Sequence, residues 1–189
     1  MTPLWHRAQP FALAAAVIAA SWLRTGLAAA GEEVSTACFA GCLLAIWLGG
    51  RLARPAGSDG WAVPQAAALG TAVGALLLAP VALSTPPSGR ALHDLLPWAS
   101  GTALVATLEE SVVRGRLQQL WTVTVGVAPA LVGSALVFAL MHLPAYGLAA
   151  QPVDFAVGLT LAGLRQVTGR VCACALAHTV ADWGGWVWA

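Results

Sequence analysis

The chain has 189 residues, of which 59% are hydrophobic and only 9% charged, and its mean hydropathy is +0.77. A soluble domain does not carry that composition, so the expected fold is all-α: a polytopic transmembrane helical bundle forming a single domain. The net charge of +1 is the balance of nine arginines, no lysine and eight acids, which offers no basic patch and excludes a nucleic-acid partner.

In chain order the apolar runs are 10–30, 35–50, 61–84, 95–122, 127–146, 153–166 and 171–188, separated by charged or Gly/Pro-rich breaks. At roughly 20 residues per span they predict about seven crossings, within a range of about six to eight. The first run follows His6 and Arg7 and ends in Ala28-Ala29-Ala30, in the manner of a cleavable signal peptide. Arg24 inside it, and the spans that follow, favour an uncleaved first helix. Glu32 and Glu33 read as a solvated loop.

The second run holds Cys38 and Cys42, and the last holds Cys172 and Cys174; neither pair has the spacing of a zinc ribbon or a redox motif, so all four read as packing residues. The third run contains Gly70-Thr71-Ala72-Val73-Gly74, a small-xxx-small helix contact. These three runs, within 1–94, carry few ionisable groups and read as scaffold. His93-Asp94 follows Pro86-Pro87 and reads as loop surface rather than a metal pair.

The segment 95–189 differs, because ionisable residues stand inside its apolar helices. They are Glu109, Glu110 and Arg114 in the fourth run, His142 in the fifth, and His178 and Asp182 in the seventh. A bilayer resists each such group by roughly 2.5–3.5 kcal/mol, so these residues face one another or a wet cavity. Residues four apart share a helix face, which pairs Glu110 with Arg114, Phe138 with His142, and His178 with Asp182. Glu109 is rotated by about 100° from Glu110. Glu110 is therefore expected as the partner of a structural ion pair with Arg114, leaving Glu109 free to act.

If the fourth run continues past Arg114 and turns near Val125, then Glu109 and His142 fall at one depth. With the N-terminus in the cytoplasm, Arg7, Arg51, Arg54, Arg114, Arg116, Arg165 and Arg170 lie on or near the inner side and Arg90 outside, as the positive-inside rule asks. Glu109 and His178 then sit roughly 8–12 Å inside the cytoplasmic boundary, and the shared pocket is expected to open toward the cytoplasm. Trp5, Trp47, Trp61, Trp98, Trp186 and Trp188 read as interfacial anchors.

Two carboxylates and two imidazoles at one depth support two chemistries. Glu109, His142, His178 and Asp182 can hold a metal such as Zn²⁺ that activates water. Alternatively, Glu109 and His142 deprotonate water directly while His178 and a neighbour stabilise the oxyanion. Both end in amide hydrolysis, and neither calls for an organic cofactor.

Glu-Glu-x-x-x-Arg-Gly at 109–115, Phe-x-x-x-His-Leu-Pro at 138–144 and His-x-x-x-Asp at 178–182 resemble the CPBP family of intramembrane proteases. That family includes the type II CAAX prenyl protease, or Ras-converting enzyme, and the bacterial Abi proteins. The resemblance covers 95–189, a catalytic core. It implies an all-helical membrane fold with a cytoplasm-facing cavity and endopeptidase activity. It assigns water activation to Glu109 and His142, and oxyanion or metal duty to His178 and Asp182. Eukaryotic prenyl proteases end the third motif in Asn; Asp182 cannot donate a hydrogen bond unless protonated, which favours a metal ligand or a residue orienting His178. The implied partners are membrane lipid and a peptide or protein substrate, membrane-associated or lipidated. The implied location is the plasma membrane of a bacterium. The alternatives are a non-catalytic scaffold or bacteriocin-immunity protein, and an ion- or proton-coupled transporter, which would spread its charges through the full membrane depth.

Overall fold

Apolar residues in runs of this length have one way to satisfy their backbone inside a bilayer, which is to form helices. In the computed structural model the described residues are 4–49, 60–86 and 95–188, with side chains from residue 8 onward, and they are almost entirely helical. Arg51, Arg54, Arg90, His93 and Asp94 lie outside the described residues.

The helices are α1 (Leu4–Gly26), α2 (Glu32–Gly49), α3 (Val63–Ser84), α4 (Leu95–Val112), α5 (Gln118–Val125), α6 (Val127–Tyr146), α7 (Gln151–Thr168) and α8 (Val171–Trp188). A π-helical turn, Val113–Leu117, joins α4 to α5 in one rod, so the described residues form seven rods in the order of the seven apolar runs. Three of the helices, α2, α3 and α6, are long and apolar enough by composition alone to cross a membrane.

Two boundaries differ from expectation. The first helix starts at Leu4 and ends at Gly26, with Ala28–Ala30 forming a separate 3-10 turn before Gly31 at φ 110°. Glu32 and Glu33, expected in a loop, are the first turn of α2, where carboxylates complement the positive end of the helix dipole.

Side-by-side packing runs α1 to α2, α2 to α4, α4 to α8, α8 to α7, α7 to α6 and α6 back to α1, so six rods close a ring. The third helix stands outside it against α8. The small-xxx-small pair makes that contact: Gly70 packs on Ala173 and Gly74 on Ala177, with no room for a Cβ at either glycine. Ala177 adjoins His178, so this contact helps set the depth of that imidazole.

The ends of the ring alternate as an up-and-down bundle requires. At one end Phe11 meets Trp121, Arg116 donates to the Ile46 carbonyl, and Arg170 donates to the carbonyls of Trp61 and Gly60. At the other, Trp98 packs on Trp186 and Trp183 donates to the Ala99 carbonyl. Arg116, Arg165 and Arg170 all belong to the first end.

Candidate active site

The floor of the site is built on the i, i+4 pair of α4. Arg114 Nη1 donates to Glu110 Oε1 at 2.9 Å, and both side chains are fully buried. Arg114 Nη2 donates to the carbonyl of Gly158 on α7 at 3.1 Å. That carbonyl is reachable because Gly158 lies against the backbone of Ala135, where a Cβ would stand 3.0 Å from the Ala135 Cα. The guanidinium also lies 4.4 Å from the centroid of the Phe138 ring, an arrangement that offsets part of the cost of burying the cation.

Immediately after Glu110 the helix loosens. The amide of Gln118 bonds the carbonyl of Val113, five residues back, in the π turn that follows the motif. Such a turn rotates the residues after it relative to those before, and it recurs near functional sites. The α5 side of the rod thereby still faces α7, where Gln118 Nε2 donates to the Ala162 carbonyl at 3.0 Å.

On this floor stand two histidines. His178 Nδ1 lies 3.0 Å from Glu110 Oε1. A carboxylate held by a guanidinium accepts and does not donate, so the proton of that bond sits on Nδ1 and the Nε2 atom is left for the site. His142 Nδ1 lies 2.7 Å from the Phe138 carbonyl, again an acceptor only, with the same outcome. Both rings touch Phe138, with centroids at 4.3 Å for His142 and 5.3 Å for His178. Tyr146 stacks on the far side of His142 at 5.7 Å.

Glu109 from α4 and Asp182 from the next turn of α8 itself flank His178 Nε2, at 3.7 Å and 3.6 Å. Those distances exceed a direct hydrogen bond and are the spacing of groups that share a third atom. Ligand atoms of Glu109, His142 and His178 all lie within 4.8 Å of one another. The donor set fits zinc: two imidazoles and a carboxylate, each imidazole anchored through its other nitrogen to an acceptor. Asp182, expected in the same set, stands outside that group and acts on it through His178. The i, i+4 spacing from His178 aims it along α8 rather than across to α6.

The two sides of the reacting groups differ in exposure. Toward the arginine-bearing end Arg114, Leu117, Phe138 and Cys174 are buried and form a closed floor. Tyr146 and the Asp182 carboxylate, 39% exposed, lie on the opposite side and form the rim. A buried Glu–Arg pair needs close packing on every side to stay desolvated and paired.

Sequence reasoning missed three contributors. The Gly158 carbonyl carried no signal, because a backbone acceptor is invisible in a residue pattern. Tyr146 was legible as the next residue on the Phe138–His142 face. Arg24 was legible as a charge inside an apolar run, and α1 does reach the site: Ser21 Oγ donates to the carbonyl of Met141, next to His142.

Residues 91–184, which contain all three motifs and extend from just before α4 into α8, match the model of the Rce1-like family, type II CAAX prenyl endopeptidase Rce1-like. By this segment the chain carries a domain of that family. No curated protein and no solved structure matches the chain. The Rce1-like domain and the apolar helices point to a membrane protein of a CAAX-type intramembrane protease family.

Proposed function

We propose that the chain is an intramembrane endopeptidase in which Glu109 and His142 activate the hydrolytic water. The observation that carries this reading is the convergence of Glu109, His142 and His178 within 4.8 Å, with both imidazoles held through Nδ1. In that arrangement the Glu109 carboxylate takes one proton of the water and the His142 Nε2 lone pair accepts a hydrogen bond from the other O–H, orienting the oxygen toward the peptide carbonyl. His178, doubly protonated between the two carboxylates, donates from Nε2 to the developing oxyanion. Glu109 then returns its proton to the leaving amine as the C–N bond breaks. Asp182 orients His178, and Arg114 keeps Glu110 ionised and in place to hold the other face of the same ring.

The same Glu109, His142 and His178 would hold a zinc ion, which supplies Lewis acidity and lowers the pKa of its bound water when present. The substrate in this reading is a peptide or protein segment that reaches the membrane, including a lipidated one. The protein belongs in the plasma membrane of a bacterium, with the arginine-bearing end in the cytoplasm.

The test is turnover by the purified protein in nanodiscs against a quenched-fluorescence library of apolar peptides, beside Glu109→Gln and His142→Ala. Cleavage by the parent and its loss in both variants is expected. Cleavage retained by Glu109→Gln overturns the assignment.

A further inference from the structure

The first helix lies outside the segment matched to the family, yet it brings a cation to the rim of the site. Ser21 fixes α1 against α6 at the level of His142. Arg24 is three residues further on, close to one turn, and so on a neighbouring part of the same face. Both helices run in the same direction here, since Phe11 meets Trp121 below and Ser21 meets Met141 above, so Arg24 falls toward the Tyr146 end.

The Arg24 guanidinium lies 5.3 Å from the centroid of the Phe39 ring on α2. A ring face takes up part of its charge and none of its N–H donors. Among the described residues no carboxylate comes within ion-pair distance of it. Arg24 stands beside α6, whose residues His142 and Tyr146 line the site at this level. An arginine in a membrane helix that faces a polar site without an acid partner is arranged to meet one from outside the chain.

We propose that Arg24 is a specificity-determining residue that binds a carboxylate of the peptide substrate beside the rim formed by Tyr146 and Asp182. The proposal rests on the endopeptidase reading above. Carboxylate is the anion a peptide carries, from its C-terminus or from an Asp or Glu side chain, and the planar fork of a guanidinium held by Phe39 matches it bidentately.

The experiment uses the full chain in neutral-lipid nanodiscs carrying Glu109→Gln, so that binding is read without turnover. The probe is a library of apolar octapeptides in three forms: free C-terminal acid, C-terminal amide, and amide with a terminal Glu side chain. Retained peptides are quantified by mass spectrometry. Peptides with a carboxylate are expected to be enriched ~10–100-fold over plain amides, the span of a charged hydrogen bond. That preference should vanish in Arg24→Gln and be intermediate in Arg24→Lys, which keeps the charge and loses the fork.

The terminal-acid and terminal-Glu arms tell the two carboxylate sources apart. Equal retention of acids and amides by the protein with Arg24 overturns the proposal. So does a preference that survives Arg24→Gln, or one that disappears when phosphatidylglycerol replaces the neutral lipid, which would assign the guanidinium to headgroups. If Arg24→Gln fails to fold, the comparison of Arg24 with Arg24→Lys carries the same decision. Failure of the endopeptidase reading shows separately, as absence of turnover by the parent protein with any peptide.

Discussion

Replacing Arg114 with Ala should destabilise the bundle far more than replacing Glu109. Arg114 is fully buried, and it donates to Glu110 and to the Gly158 carbonyl while lying on Phe138. Its loss leaves the Glu110 carboxylate buried with one histidine as its remaining partner, and Glu110 Oε2 already has no partner among the described residues. Breaking a buried pair by removing one member costs about 3–5 kcal/mol, because the other charge stays behind. For a chain of this length that is a fall in midpoint of roughly 6–20 °C. Glu109→Gln removes a charge that makes no direct hydrogen bond and should shift the midpoint by far less.

The double change Glu110→Gln with Arg114→Met removes both charges, leaves an acceptor for His178, and should recover much of the loss. The assay is thermal unfolding in one detergent, followed by tryptophan fluorescence. An Arg114→Ala protein that melts with the parent would refute the reasoning, and so would a double variant no more stable than the single one.

Gly158→Ala should cost about 1–3 kcal/mol by overpacking α7 on α6, since its Cβ would press on the Ala135 Cα and carbonyl at 3.0 and 3.1 Å. Denaturation midpoints measure it, and an unchanged midpoint would show that the two helices separate freely there. Zinc measured by elemental analysis is expected at one ion per chain and should fall together in His142→Ala and His178→Ala while Asp182→Ala retains most of it, because Asp182 stands outside the three-residue group. A metal-free preparation with full turnover would refute the ion and leave Glu109 and His142 as the water-activating pair. In a background without Cys38, Cys42, Cys172 and Cys174, a cysteine at Tyr146 should react with an impermeant thiol reagent from the face opposite the arginine-bearing end. Labelling only from the arginine-bearing face would place the mouth where the buried floor now stands.

The sequence by itself determined the helices and the faces that the ionisable residues of 95–189 share. Runs of apolar residues as long as a bilayer is thick leave the backbone no alternative to helix, and residues four apart must share a side. Glu110 against Arg114 and His178 against Asp182 therefore followed from spacing alone, and the structure has both. The depth match of Glu109 with His142 also held, because two helices joined by a tight turn at Gly126 keep their register. Tertiary structure decided what no local period encodes: the ring order of the six helices, the Gly158 carbonyl under Arg114, and the π turn after the first motif. It also brought ligand atoms of Glu109, His142 and His178 within 4.8 Å of one another from three helices. Each of these depends on which surfaces meet across the bundle, and that is set by the fit of small residues such as Gly70, Gly74 and Gly158 against distant backbones.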